Sequence, residues 1–231
     1  MGEAGQAPGW FGKLPSHGDF LVRRLPPEVR LCFDNWLQAG LVESRIALGD
    51  AWLPTWLSSP LWRFVVSAGV CGEQAWAGVM MPSHDRVGRT FPLLLMAASE
   101  GTPSLPGCMT VHAGWFARLE ALALSTLEEG FSLERFDAAL AALAALGAAP
   151  RAGSSSAAAP APLAGRAAVV LLDDAVLPAL AERVMTGHSA WWTDGSPRVG
   201  PCLALCRHLP APAAFAALLD GQWEQHGWNR D

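Results

Sequence analysis

The sequence predicts a layered α/β domain with helices on both faces of a mixed central sheet. Three observations lead there. Leu61–Ala98 carries three strand-length apolar runs, Arg63–Ser67, Trp76–Met81 and Phe91–Ala98, separated by Gly-, Pro-, Ser- and Asp-containing turns. Helical apolar spacing flanks these runs on both sides. Strand and helix signals then alternate toward the C-terminus. Strands joined by short turns must pair antiparallel, whereas the later alternation favours some parallel pairing.

Composition bounds the answer further. The 231 residues are read as one domain, 1–231, large enough to bury its own core without a disulfide or metal staple. Sixteen basic and 21 acidic residues give a net charge of −5, which argues against a nucleic-acid groove. All the basic residues except Lys13 are arginine, a side chain suited to carboxylate or phosphate. The five cysteines are odd in number and scattered, with no Cys-x-x-Cys, and point to the cytosol. The first residues lack the basic-then-apolar form of a signal peptide. No run of about 18 apolar residues would span a membrane.

In chain order, Gly9–Phe20 (GWFGKLPSHGDF) reads as a specific turn, with Trp10 and Phe11 docked on the body. It admits two readings: an entry loop whose Asp19 caps backbone amides, or a polar site of Lys13, His17 and Asp19. Glu28–Leu48 places Val29, Cys32, Phe33, Trp36, Leu37 and Leu41 at helical spacing after Pro26–Pro27 and before Gly49. A shorter helix is expected near Asp50–Leu57, broken or kinked by Pro54. Its Trp52 and Trp56 share one face and read as core. The three strands follow, the last expected mid-sheet. Ser99–Pro106 reads as a polar loop. Helices are expected over His112–Leu127 and from Leu133 to Leu143, the second capped by Ser132.

Gly147–Gly165 is Ala/Pro/Ser-rich and reads as a flexible insert. Ala168–Asp173 is an expected strand, Leu177–Met185 a helix, Trp191–Trp192 a strand and Cys202–Cys206 another. Pro212–Leu219 closes the chain as a helix before Gly221.

Five segments stand together in a recognisable order: GWFGKLPSHGDF (Gly9–Phe20), WLSSPLWRF (Trp56–Phe64), PSHDRVGRTFPL (Pro82–Leu93), SAWWTDGS (Ser189–Ser196) and LPAPAAFAALLDG (Leu209–Gly221). With them the chain resembles the TagF family, also called ImpM, accessory proteins of bacterial type VI secretion. The resemblance spans nearly all of the chain except 147–165. It implies a single three-layer α/β/α sandwich. It also implies a cytoplasmic, post-translational repressor of secretion assembly that binds a forkhead-associated scaffold protein; the residues themselves call for no cofactor. His84 falls in a variable slot of the loop motif and inherits no role.

Asp85, Arg86 and Arg89 flank Val87–Gly88 in a tight turn. They make either an internal ion pair or a docking patch for a partner's carboxylate or phosphate. Trp191, Trp192 and Asp194 form a second candidate, since one Trp of an extended pair faces away from its neighbour and an exposed one would anchor an interface. Lys13, Gly18, Asp19 and Phe20 complete the candidate partner surface. Ser83, His84 and Asp85 do not make a hydrolase triad by adjacency, and no G-x-S-x-G elbow occurs. His17 with Asp19, and Asp173 with Asp174, are too few to hold a metal. The expectation is a non-catalytic binding protein. The alternatives are a small hydrolase around His84, Asp85 and Cys71, or a structural piece of the secretion machine.

Overall fold

The structure, a computed structural model, describes residues 7–99, 105–144, 146, 168–171 and 186–230. Its strands are β1 (Gly9–Gly12), β2 (Leu21–Arg23), β3 (Trp62–Val66), β4 (Ala75–Met81), β5 (Leu93–Ser99), β6 (Ala168–Leu171), β7 (His188–Thr193), β8 (Cys202–Arg207) and β9 (Asn229–Arg230). The described helices are α1 (Pro27–Leu48), α2 (Trp52–Ser58), α3 (Leu105–Met109), α4 (Ala113–Ser125), α5 (Leu133–Ala141) and α6 (Ala217–Asp220).

One sheet holds all nine described strands in the order β2-β1-β5-β4-β3-β7-β8-β6-β9. Every neighbouring pair is antiparallel except β6–β9, a two-residue parallel pairing at the edge. The expected mixed sheet is therefore corrected to an antiparallel one with a parallel fringe. The cause is topological: β6 and β7 are each antiparallel to β8, so they run the same way but never pair.

Side chains alternate between two cores, as the pleat requires. Phe64, Met80, Leu94 and Trp191 pack with Phe33, Trp36 and Leu37 of α1 and with Trp52 and Trp56 of α2. Val65, Val79, Leu95 and Trp192 pack with Phe116 and Leu119 of α4 and with Phe136 and Leu140 of α5. Trp36 shows the density of the first core: its ring lies 5.0 Å from Trp191 and 5.4 Å from Phe215, and its indole N–H donates to the Pro210 carbonyl at 2.7 Å. Burying such a side chain is worth roughly 4–6 kcal/mol of transfer free energy as an upper figure.

Several local expectations change. Gly9–Gly12 is a strand rather than part of a loop, wedged between β2 and β5. Trp10 and Phe11 are fully buried, on opposite faces. Gly12 is required there: its φ is 138°, and a Cβ would collide with the Pro92 carbonyl. Pro54 does not kink α2, because it lies in the first turn, where its missing N–H has no helical acceptor. Residues 105–109 form α3, where a loop was expected up to Pro106. The closing helix divides into a 3-10 turn, Pro212–Ala214, and the short α6. Ser132 caps α5 as expected, accepting the Arg135 amide at 3.3 Å.

The cysteine reading is corrected too. Cys32 on α1 and Cys71 in the β3–β4 turn form a disulfide, with Cα atoms 5.6 Å apart and a sequence separation of 39. The spacing gave no sign of it, because the fold alone brings α1 over that turn. Among the described residues no helix is long and apolar enough to cross a membrane. The 147–165 insert and the expected Leu177–Met185 helix lie outside the described residues.

Candidate partner-docking site

The β1–β2 loop (Lys13–Phe20) and the β4–β5 loop (Pro82–Pro92) leave the same end of the sheet side by side, because β1 pairs with β5. Asp85 joins them. Its carboxylate is 2% exposed, and four groups surround it. Oδ1 accepts the amides of Val87 at 3.1 Å and Arg89 at 2.8 Å. Oδ2 accepts Lys13 Nζ at 3.0 Å and Arg89 Nε at 2.6 Å. The Asp85 and Gly88 amides close the turn on the Arg89 and Asp85 carbonyls, each at 2.9 Å. Gly88 supplies the φ of 84° that this turn needs.

Further bonds lock the two loops together. The Arg86 amide donates to the His17 carbonyl at 2.9 Å. The Arg89 guanidinium donates to the Gly18 carbonyl at 2.6 Å, and the Ser83 hydroxyl to the Lys13 carbonyl at 2.8 Å. Trp56 of α2 donates its indole N–H to the Ser83 carbonyl at 3.2 Å. Phe20 rests on Phe91, with ring centroids 5.0 Å apart, and Arg45 of α1 reaches the Thr90 hydroxyl at 2.7 Å.

Burial pushes the Asp85 carboxyl up. The Arg89 amide, the Lys13 ammonium, the Arg89 guanidinium and the Val87 amide more than offset it, and hold the group well below the usual carboxylate range. One carboxylate thus serves two cations. Arg86 is exposed, and its guanidinium makes no hydrogen bond or ion pair among the described residues. The pair of loops therefore presents unneutralised positive charge on a chain of net charge −5.

A family model described as the TagF N-terminal domain, type VI secretion system-associated, matches residues 9–143. The chain belongs to the TagF family. The matched span contains both loops and the whole Asp85 node. The TagF chain is also similar to PA0076 from Pseudomonas aeruginosa PAO1, whose crystal structure superposes with a TM-score of 0.75 at 37% identity, covering 94% of this chain and 95% of that one. Among curated proteins none matches.

Elsewhere in the TagF chain the candidate residues separate. Trp191 and Trp192 do face opposite sides of the sheet, but both are buried, at 0% and 2% exposure, because helices cover both faces. Neither is the exposed anchor that the sequence suggested. Asp194 pairs with Arg63 of β3, whose guanidinium also binds Glu120 of α4, with contacts of 2.6–3.1 Å. Sequence reasoning missed Arg63 and Glu120; the signal was a lone arginine inside an apolar strand. It also missed Arg45, which reads from sequence as an ordinary outward helix position. Asp19 is exposed, and Asp85 rather than Asp19 caps loop amides.

The TagF chain does not assemble the hydrolase constellation. Cys71 is bonded to Cys32 at the β3–β4 turn, the end of the sheet opposite His84 and Asp85. Ser83 points its hydroxyl at a backbone carbonyl, and His84 Nδ1 has no hydrogen-bond partner among the described residues. Burial pushes the thiols of Cys108, Cys202 and Cys206 up to about 12, so they stay protonated. A cavity of about 150 Å³ is lined by Gly221, Gln222, Trp223, Glu224 and Gln225, none of them a candidate residue. Among the described residues no three His, Cys, Asp or Glu side chains come together as metal ligands. Asp173 and Asp174 lie outside the described residues.

Proposed function

We propose that this TagF-family protein is a non-catalytic, cytoplasmic repressor of type VI secretion assembly that acts by binding a forkhead-associated scaffold protein. The carrying observation is the Asp85 node. It spends one buried carboxylate on Lys13 and Arg89, and the neighbouring Arg86 guanidinium at the surface has no ion-pair partner among the described residues. A catalytic site aims polar groups into a pocket; here Lys13 and Arg89 are tied to Asp85, and the Arg86 guanidinium stands at the surface, as in a recognition patch. We read the two helix-covered faces as a three-layer sandwich whose function is to hold this end of the sheet still. Gly18, Asp19 and Phe20 border Arg86 and Arg89 in this reading, whereas Trp191 and Trp192 belong to the core.

The test is a pull-down against the forkhead-associated scaffold of the protein's own secretion cluster. Wild type is compared with Arg86→Ala, and with Arg89→Ala, which also loosens the node. Capture by wild type and loss with Arg86→Ala at unchanged Tm is expected. Equal capture by all three proteins rules the surface out, and no capture by wild type rules the reading out.

A further inference from the structure

The two sulfurs of the disulfide belong to residues with different access to solvent. Cys32, on the second turn of α1, is half-buried, whereas Cys71 in the β3–β4 turn is 2% exposed. Both elements also have anchors of their own. Val29, Phe33, Trp36, Leu37 and Leu41 hold α1 on the sheet through the core. The turn closes itself through the Gly69 amide on the Gly72 carbonyl at 2.8 Å and the Val70 amide on the Ser67 carbonyl at 3.3 Å. Its base is tied to β7 by the Ser67 amide, which donates to the His188 carbonyl at 3.0 Å. A core of this size needs no covalent staple. Cutting the bond therefore frees the tip of the turn and leaves α1 in place. The dithiol is accommodated as well: the Val70 carbonyl lies 3.7 Å from Cys32 Sγ, placed to accept its S–H. The other three cysteines are buried and stay protonated, so they do not compete for this bond.

We propose that Cys32–Cys71 is a reversible thiol–disulfide switch, exchanged at Cys32 by a low-molecular-weight thiol of the glutathione class. The thiolate attacks Cys32 Sγ, on the more accessible residue. The bond to Cys71 breaks, its electron pair leaves on Cys71 Sγ, and that sulfur takes a proton. Cys32 then carries the small thiol as a mixed disulfide. A second thiolate attacks the small thiol's sulfur, and Cys32 leaves and is protonated in turn. One protein disulfide and two small thiols thus become a dithiol and one small-molecule disulfide, and oxidation runs the same steps backward. The oxidised form clips the β3–β4 turn to α1, and the dithiol form releases it. That such a thiol pool surrounds the protein rests on the cytoplasmic reading; the exchange chemistry does not.

The test equilibrates the full chain in about 5 mM glutathione at set ratios, quenches with N-ethylmaleimide and counts adducts by mass. At a reduced-to-oxidised ratio of about 1:1 the pair stays a disulfide, and at about 1000:1 two adducts appear, on Cys32 and Cys71. A disulfide that persists at the second ratio is a permanent staple, and a dithiol at the first is no switch; either overturns the proposal. The point of entry is read from single variants mixed with oxidised glutathione. Cys71→Ser forms the mixed disulfide on Cys32 at least about tenfold faster than Cys32→Ser forms it on Cys71. Equal rates, or the reverse order, overturn entry at Cys32. Hydrogen exchange supplies the structural readout. Reduction speeds the Gly69 and Val70 amides by about tenfold or more and leaves those of Phe33 and Trp36 slow. Unchanged exchange in the turn, or loss of protection along α1, contradicts a local release. None of these measurements uses a partner, so a failed scaffold pull-down removes the repressor and leaves the switch, whereas a failed exchange removes the switch and leaves the repressor.

Discussion

At the β3–β4 turn, Cys32 and Cys71 join α1 to the sheet through a covalent bond. At the other end, Arg45 of the same helix reaches Thr90 of the β4–β5 loop and lies over the Trp52 ring of α2, and the loops are joined at the Asp85 carboxylate. The two ends answer to different conditions. A disulfide is indifferent to salt and pH and sensitive to reductant. A buried carboxylate shared by two cations is indifferent to reductant and sensitive to acid. The difference also bears on function. A covalent staple leaves no charge behind, whereas an ion cluster with one acid for two cations leaves positive charge at the surface. In the proposed reading, the end that meets the partner is the end fastened by charge.

The contrast can be broken by treating each end separately. Replacing Cys32 and Cys71 together by Ser has the largest expected effect. A cross-link spanning 39 residues constrains the unfolded chain by about 4 kcal/mol, and guanidinium unfolding should show most of that loss. Hydrogen exchange at the Val87 and Arg89 amides should stay as slow as in wild type. Fast exchange there would mean that the two ends are one cooperative unit.

Asp85→Asn is next, with a fall in Tm of roughly 5–8 °C at neutral pH and fast exchange at Val87 and Arg89. Acid reproduces it. The folded-state pKa of Asp85 lies below its ordinary value, so its stabilisation is complete above about pH 4 and fades as pH falls below that toward the folded value. Thermal unfolding of wild type should therefore steepen in its pH dependence below about pH 4, and the Asp85→Asn protein should not. Parallel curves would contradict the assignment. Arg45→Met has the smallest effect, about 0.5–1 kcal/mol, since it removes an exposed cation–π contact and one hydroxyl bond. A much larger loss in urea unfolding would show that α1 depends on this end more than the covalent staple implies.

The sequence disclosed unequal amounts of these two ends. The three central strands, α1 with its apolar stripe, the Ser132 cap and the β4–β5 turn followed from periodicity and turn chemistry. Asp85, Arg86 and Arg89 stood out because one acid and two arginines flanked Val-Gly. Their partner Lys13 was singled out as well, but no local rule joins residues 72 apart; β1 pairing with β5 does that. The strand Gly9–Gly12 was hidden because its four residues are buried on both faces and show no alternation. The disulfide was hidden because Cys32 reads as a helical core position and Cys71 as a turn residue. Trp191 and Trp192 fall on opposite faces as the pleat requires, but their burial depends on α1 over Trp191 and on α4 and α5 over Trp192, all far away in sequence.

The most direct measurement is calorimetric titration of the forkhead-associated scaffold with wild type, Arg86→Ala and Arg118→Ala. Arg86 lends only its backbone to the loop lock, so its truncation tests recognition without disturbing the node. Binding by wild type and Arg118→Ala, weakened about tenfold in Arg86→Ala, is the predicted result. Unchanged affinity in Arg86→Ala, or no heat of binding with wild type, would contradict it.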